Sequence, residues 1–251
     1  KDLPYFRTLH SMAFRMLGLR KEQVLGQRAM DEFGLSLGLR LGECAAANEG
    51  RVYGKTPGER ALFISAMSRM RCVSLEDQWR EMRDDVGWFE VERVHRALSE
   101  FKQDRGLYDY TDMLLNFTGE SAPPLGLLVV DESQDLSQAQ WRMVQALSAR
   151  SARTVVAGDD DQAIFRWAGA DIEYFLALPG ETTVLNQSYR VPKAIQDHAA
   201  SIIANVSQRK EKHWNPRAEG GLVRYHNTTA DIDMSKGSWL ALARNEYLLD
   251  D

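Results

Sequence analysis

Two short apolar runs that each stop at acidic residues constrain this chain more than any other feature. Leu125–Val130 runs into Asp131-Glu132, and Thr154–Ala157 runs into Gly158-Asp159-Asp160-Asp161-Gln162. Short continuous apolar runs without alternation read as strands buried on both faces, the texture of a parallel sheet. Thr183–Leu185 reads as a third strand, and Gly221–Tyr225 and Trp239–Ala243 are two more candidates. Helical stretches at Gln138–Leu147 and Val191–Asn205 separate these runs. The expected class is therefore α/β, a parallel sheet covered on both faces by helices.

The N-terminal part reads differently. Residues 1–20 suggest an extended entry and then a helix, with Phe6, Leu9, Ala13, Met16 and Leu17 at helical spacing. Residues 21–105 carry few strand signals and many helix formers. Helices are expected from Gly58 to Arg71, from Leu75 to Phe89 and from Val91 to Lys102. Trp79, Trp88 and Trp141 sit at helical spacing and are expected in the core or at an interface. The pattern is an α/β layer interrupted by an all-helical insertion.

Composition narrows the function. The 251 residues are 44% hydrophobic and 27% charged, which is globular and enough for one large or two ordinary domains. With 31 basic and 36 acidic residues the net charge is −5, which excludes a bulk basic footprint on nucleic acid but not a local one. Cys44 and Cys72 are too few for a disulfide scaffold or a four-cysteine zinc site. The five histidines form no H-x-x-H or H-E-x-x-H pair, and no G-x-S-x-G occurs. No apolar run approaches the ~20 residues a bilayer requires, so no membrane association is expected. The opening Lys1-Asp2-Leu3-Pro4 lacks both a start Met and a signal-peptide pattern, so a cytoplasmic chain cut from a longer one is expected.

In open α/β sheets, ligands gather at the carboxyl ends of the strands. Asp131 and Glu132 stand at such an end, where one carboxylate can face Mg²⁺ and its neighbour can polarise a water. Two acids there could equally cap the next helix. The three acids Asp159–Asp161 read as a solvated loop more readily than as a metal cage. Gln162 offers a neutral amide that can read a phosphate or a water. Phe165 and Trp167 flank Arg166 and suit stacking on unpaired bases, or a core. Tyr189-Arg190 could stack an adenine and pair with a phosphate, or be a helix start and a surface cation. The basic run Arg209–Trp214 reads as a solvated helix end that could also touch phosphate.

Order and spacing give these signals joint meaning. VVDESQD, VVAGDDDQAIFRWAGAD and LNQSYRVPKAI closely resemble motifs II, III and IV of UvrD/Rep-type superfamily 1 DNA helicases. Thr8-Leu9-His10-Ser11-Met12-Ala13 resembles that family's TFHSLA element, and Tyr108–Leu114 resembles its D-[FY]-x-D-[LM]-[LI] helix. The matches run in order from residue 5 to about 200, and Trp239–Leu248 looks like the family's next strand. The resemblance implies ATP and Mg²⁺ as cofactors. It makes Asp131 the Mg²⁺ carboxylate, Glu132 the base and Gln162 a γ-phosphate sensor. It places Tyr189 on the adenine and Arg190 on the γ-phosphate. Gln134 and Asp135 would link the nucleotide site to DNA contacts. Phe165 and Trp167 would stand beside the single strand, with Thr8 on phosphate and His10 near a base.

The implied fold is a RecA-like P-loop NTPase sheet. Residues 1–20 and 106–180 would be part of the first RecA-like domain, 21–105 the inserted helical subdomain, and 181–251 the start of a second RecA-like domain. The implied activity is ATP-dependent translocation on single-stranded DNA, or on a duplex with a single-stranded tail, in the 3′ to 5′ direction, by a monomer. Several positions depart from the pattern: Ser133 for Ala, Ser188 for Asn, Ala168 for Arg, and Leu9 for an aromatic. No G-x-x-x-x-G-K-[ST] occurs. Gly54-Lys55-Thr56 follows the TLHSMA element instead of preceding it, has no apolar strand before it, and reads as a loop. The expectation is a piece of a helicase whose P-loop lies upstream and whose motifs V and VI lie downstream, inactive by itself. The alternative is a single-stranded-DNA-binding or interaction fragment without turnover.

Overall fold

The computed structural model describes residues 5–39, 41, 54, 56–82 and 85–243. Cys44, Lys55 and the segment 244–248 of the last expected strand lie outside the described residues. The described residues fall into two compact units. One holds those up to Gly180 together with Gln208–Lys210; the other holds Glu181–Ser207 and those from Glu211 on.

The first unit opens with α1 (Leu9–Met16), capped by the Thr8 hydroxyl, which accepts from the Ser11 N–H at 3.2 Å. Phe6, expected on the apolar stripe, precedes the cap and is exposed. α2 (Gln27–Ser36) follows, then α3 (Pro57–Met70). At the start of α3, Thr56 and Glu59 cap each other and Pro57 supplies the first helical position. A Cβ on Gly54 would lie 2.2 Å from that of Glu59, so glycine is required for this approach. Thr56 thus serves as a helix cap.

The helix expected from Leu75 to Phe89 is two helices. α4 (Leu75–Met82) stops early, and α5 (Trp88–Arg105) starts from an extended Gly87. The Trp79 indole N–H of α4 donates to the Val86 carbonyl at 2.7 Å, next to the start of α5. Trp79 and Trp88 pack together half-buried, whereas Trp141 is fully buried. α5 ends on Gly106 at φ 62°, a left-handed cap that glycine takes without strain. α6 (Tyr110–Leu115) leads into β1 (Leu128–Val130), α7 (Gln138–Ser148), β2 (Thr154–Val156) and α8 (Ile172–Leu176).

β1 and β2 pair in parallel, with Leu128 opposite Thr154 and Val130 opposite Val156. One core gathers Met12, Met113, Leu114, Leu128, Trp141 and Leu147 around this pair. A second, of Met30, Phe33, Leu62, Ile64, Val91 and Leu98, joins α2, α3 and α5. The sheet is not covered on both faces as expected. Leu128 and Val130 are buried, but Leu127, Val129 and Val155 are 53%, 59% and 38% exposed. Among the described residues, helices pack on one side only.

In the second unit β3 (Gln187–Pro192), α9 (Lys193–Ile203) and β4 (Asn215–Arg217) make a parallel strand–helix–strand arrangement. The third strand therefore starts after Thr183–Leu185, which has no ladder partner among the described residues. Gly221–Tyr225 and Trp239–Ala243 form no strand. The polar segment Asn215-Pro216-Arg217 does, because the Gln187 amide reaches the Asn215 and Pro216 carbonyls and the Asn215 N–H reaches Asn186.

Candidate nucleotide and nucleic-acid site

The ends of β1 and β2 are tied by backbone. The Ala157 N–H donates to the Val130 carbonyl at 2.8 Å, and the Ser133 N–H donates to the Ala157 carbonyl at 3.0 Å. The buried Ser133 hydroxyl adds a bond to the Val130 carbonyl. Both first acids, Asp131 and Glu132, remain exposed at this end. Asp131 Oδ1 accepts from the Glu132 N–H at 2.9 Å. Glu132 adopts a left-handed backbone, φ 49° and ψ 40°, which non-glycine residues rarely take and which recurs at functional turns.

Gln134 lies beneath this turn, 1% exposed. Its Nε2 donates to Glu132 Oε2 at 2.9 Å and to Asp135 Oδ2 at 3.2 Å, and its Oε1 accepts from the Asp159 N–H at 3.1 Å. Asp135 Oδ1 is buried without a hydrogen-bond partner. Burial and the Glu132 charge push the Asp135 carboxyl above its ordinary value.

At the β2 end, Asp159 Oδ2 accepts from Gln162 Nε2 at 2.6 Å and Oδ1 from the Asp161 N–H. The side chains of Asp159, Asp160 and Asp161 converge to within 4.8 Å. They are engaged by protein donors. Arg209 grips Asp161 through Nε and Nη2 at 2.7 and 2.8 Å, and the Lys210 backbone N–H reaches Asp160 at 2.7 Å. The basic run expected as a solvated helix end thus supplies a bidentate clamp. Sequence reasoning missed this pair, and only the opposite signs of the two runs hinted at it.

Phe165 and Trp167 follow, 41% and 54% exposed, with ring centroids 6.3 Å apart. They belong to a single helical turn that ends on Gly169 at φ 96°, where a side chain would meet Met67 of α3 at 3.2 Å. His10 is half-buried and packs edge-on against Tyr110 at 5.5 Å. Thr8 is exposed at the start of α1. In the second unit Tyr189 and Arg190 lie exposed on β3, and the Ser188 hydroxyl accepts from the Arg190 and Val191 N–H groups.

The two acids of the D-x-x-D helix have a structural task. Asp109 and Asp112 cap α6 reciprocally and grip Arg69 of α3 and Lys102 of α5 at 2.5 to 3.0 Å. Burial opposes charge on Asp109, but the Arg69 guanidinium and the Lys102 ammonium outweigh it and hold this carboxyl well below the usual range. Burial and the neighbouring Asp109 charge push Asp112 the other way.

Residues 59–182 match the family described as UvrD/REP helicase N-terminal domain. The ATP-dependent DNA helicase PcrA of Bacillus subtilis is 37% identical over 118 residues, covering 45% of this chain and 16% of its own length. PcrA of Staphylococcus aureus is 36% identical over 110 residues, covering 41% of this chain and 15% of its own. DNA helicase II of Haemophilus influenzae is 27% identical over 169 residues, covering 61% and 23%. The chain thus spans only a minor part of each relative. Asp131, Glu132, Gln162, Phe165 and Trp167 fall inside the matched family segment, whereas Thr8, His10, Tyr189 and Arg190 fall outside it.

Proposed function

We propose that this chain, whose residues 59–182 match the UvrD/REP helicase N-terminal domain family, is part of an ATP-dependent DNA helicase. The machine couples Mg-ATP hydrolysis to 3′ to 5′ movement on single-stranded DNA. The observation that carries the reading is one hydrogen-bonded run, Glu132–Gln134–Asp159–Gln162, across the two strand ends, with the exposed rings of Phe165 and Trp167 a few residues on. It is a cytoplasmic monomer acting on single strands or tailed duplexes. Residues 1–20 and 106–180 are part of its first RecA-like domain, 21–105 the helical insertion, and 181–251 the start of the second.

The donor set fits Mg²⁺. Asp131 is an exposed hard-oxygen ligand whose Oδ1 is directed by the Glu132 N–H, which leaves Oδ2 for the ion. When bound, Mg²⁺ would neutralise charge on the phosphates. Glu132 accepts the proton of the attacking water at Oε1, the oxygen that Gln134 does not hold. Gln162 donates toward the γ-phosphate, Arg190 pairs with it and Tyr189 stacks on adenine. Phe165 and Trp167 stack on bases, Thr8 contacts phosphate, and His10 lies near a base.

A second reading, a single-stranded-DNA-binding module without turnover, is favoured by the absence of a G-x-x-x-x-G-K-[ST] motif from these 251 residues. The isolated chain should hydrolyse little ATP under either reading. The separating experiment is Glu132→Gln in the full-length protein. On the helicase reading DNA-stimulated ATP hydrolysis collapses while DNA binding persists. Unchanged hydrolysis removes Glu132 as the base, and a full-length protein without any hydrolysis leaves the binding module.

A further inference from the structure

Gln134 uses both ends of its side-chain amide at the strand ends. It is buried to 1% exposure, yet lies among the exposed acids of β1. Both ends of its amide are committed, the nitrogen to two carboxylates from the β1 turn and the oxygen to a backbone N–H from the β2 turn. The surroundings are shaped to admit it. A Cβ on Gly158 would stand 2.8 Å from Gln134 Oε1 and 2.9 Å from the Phe175 ring, so only glycine permits this approach. Glu132 holds the left-handed backbone that turns its carboxylate toward the amide. The next link leaves from the residue Gln134 grips, since Asp159 accepts from the Gln162 amide at 2.6 Å.

We propose that Gln134 is a positioning residue for hydrolysis. It pins Glu132 through Oε2 so that Oε1 alone faces the water, and it sets Glu132 in register with Gln162 through Asp159. This rests on Glu132 being the base and Gln162 the phosphate sensor. The physical basis is that a buried, fully bonded partner lets a side chain act without reorganising at the moment of reaction, and small misplacements are costly. The bonds also discriminate. Glutamate at this position would keep the acceptor for the Asp159 N–H but would set a third carboxylate against Glu132 and Asp135.

The test uses the full-length protein, ATP and a single-stranded oligonucleotide. Gln134→Met keeps length and removes every bond; Gln134→Glu keeps the bond to Asp159 and removes the grip on Glu132. Both should lower kcat by about 10- to 100-fold with KM for ATP held within about twofold. Gln134→Glu also sets a buried acid beside two others, so kcat and KM of both variants are read at a temperature where circular dichroism shows them folded, and Gln134→Met, which adds no charge, separates lost positioning from repulsion. Wild-type kcat in either folded variant overturns the proposal. So does a KM that rises in step with the loss of kcat, since that marks a defect in binding. Glu132→Gln run in parallel separates the two levels: if it still hydrolyses ATP, the underlying reading has failed, whatever the Gln134 variants do.

Discussion

The two units use one recipe, a parallel strand pair joined through a helix, and reach opposite states of burial. In the first, Trp141 and Leu147 of α7 are shielded against β1, and a second core gathers Met30, Phe33, Leu62 and Val91. In the second, no described residue is fully buried, and Leu185, Tyr189, Tyr225 and Leu240 are each at least 80% exposed. Parallel pairing alone therefore does not make a core. The stabilising term is apolar surface removed from water, worth roughly 25 cal/mol per Å². The second unit keeps its ladder chiefly through polar side chains such as Gln187.

Substitution should expose this difference at its widest. Trp141→Ala removes a fully buried indole packed 4.9 Å from Tyr174 and should cost about 3–5 kcal/mol in urea unfolding. Trp239→Ala, in the second unit, should stay within about 0.5 kcal/mol. Equal losses would break the comparison. The charged joint of the first unit should come next. Lys102→Met strips one of two cations from Asp109 and Asp112 and should destabilise by about 3 kcal/mol, because it leaves two part-buried carboxylates undercompensated. A neutral result would mean that Arg69 alone suffices.

Trp167→Ala should weaken single-strand binding by about 1–3 kcal/mol with the unfolding midpoint unchanged. Lost stability with unchanged affinity would move that ring into the core instead. The smallest effect concerns acid. Burial, then the Arg69 and Lys102 charges, lower the His95 pKa below its ordinary 6.5, and its Nδ1 contacts the Ser65 hydroxyl at 2.8 Å. The unfolded chain then binds the proton first, so stability present above about pH 6.5 is lost progressively as pH falls below that value through the lowered folded one. His95→Gln should flatten this slope in urea midpoints taken from pH 7.5 to 5.5; an unchanged slope assigns it elsewhere.

What the amino-acid sequence alone conveys follows the same division. β1 and β2 were legible because short continuous apolar runs end at acids, and α7 because its apolar residues carry both the helical period and the burial. Helix α3 was legible because Leu62, Ile64, Met67 and Met70 fall at helical spacing, although Pro57, which reads as a break, is its first residue and Thr56 its cap. β3 and β4 were not, since Gln187–Pro192 and Asn215–Arg217 are polar segments paired by groups far off in sequence. The left-handed Glu132 and the three-way grip of Gln134 leave no trace in spacing, although the acids around them do. Arg209 meets Asp161 across 48 positions, a pairing that no periodicity encodes. The open side of the sheet was illegible for another reason: an apolar pattern names the residues that seek cover, not the element that covers them.

That open side also sets the colloidal behaviour of the chain. Leu127, Val129 and Val155 form an adhesive strip on a ladder that has two strands among the described residues, whose edges are templates for further pairing. The net charge of −5 keeps copies apart at low ionic strength, and added salt screens that repulsion while leaving the strip intact. Light scattering from the purified segment should therefore rise with salt, and a Val129→Lys substitution, which leaves the buried Leu128 and Val130 untouched, should suppress it.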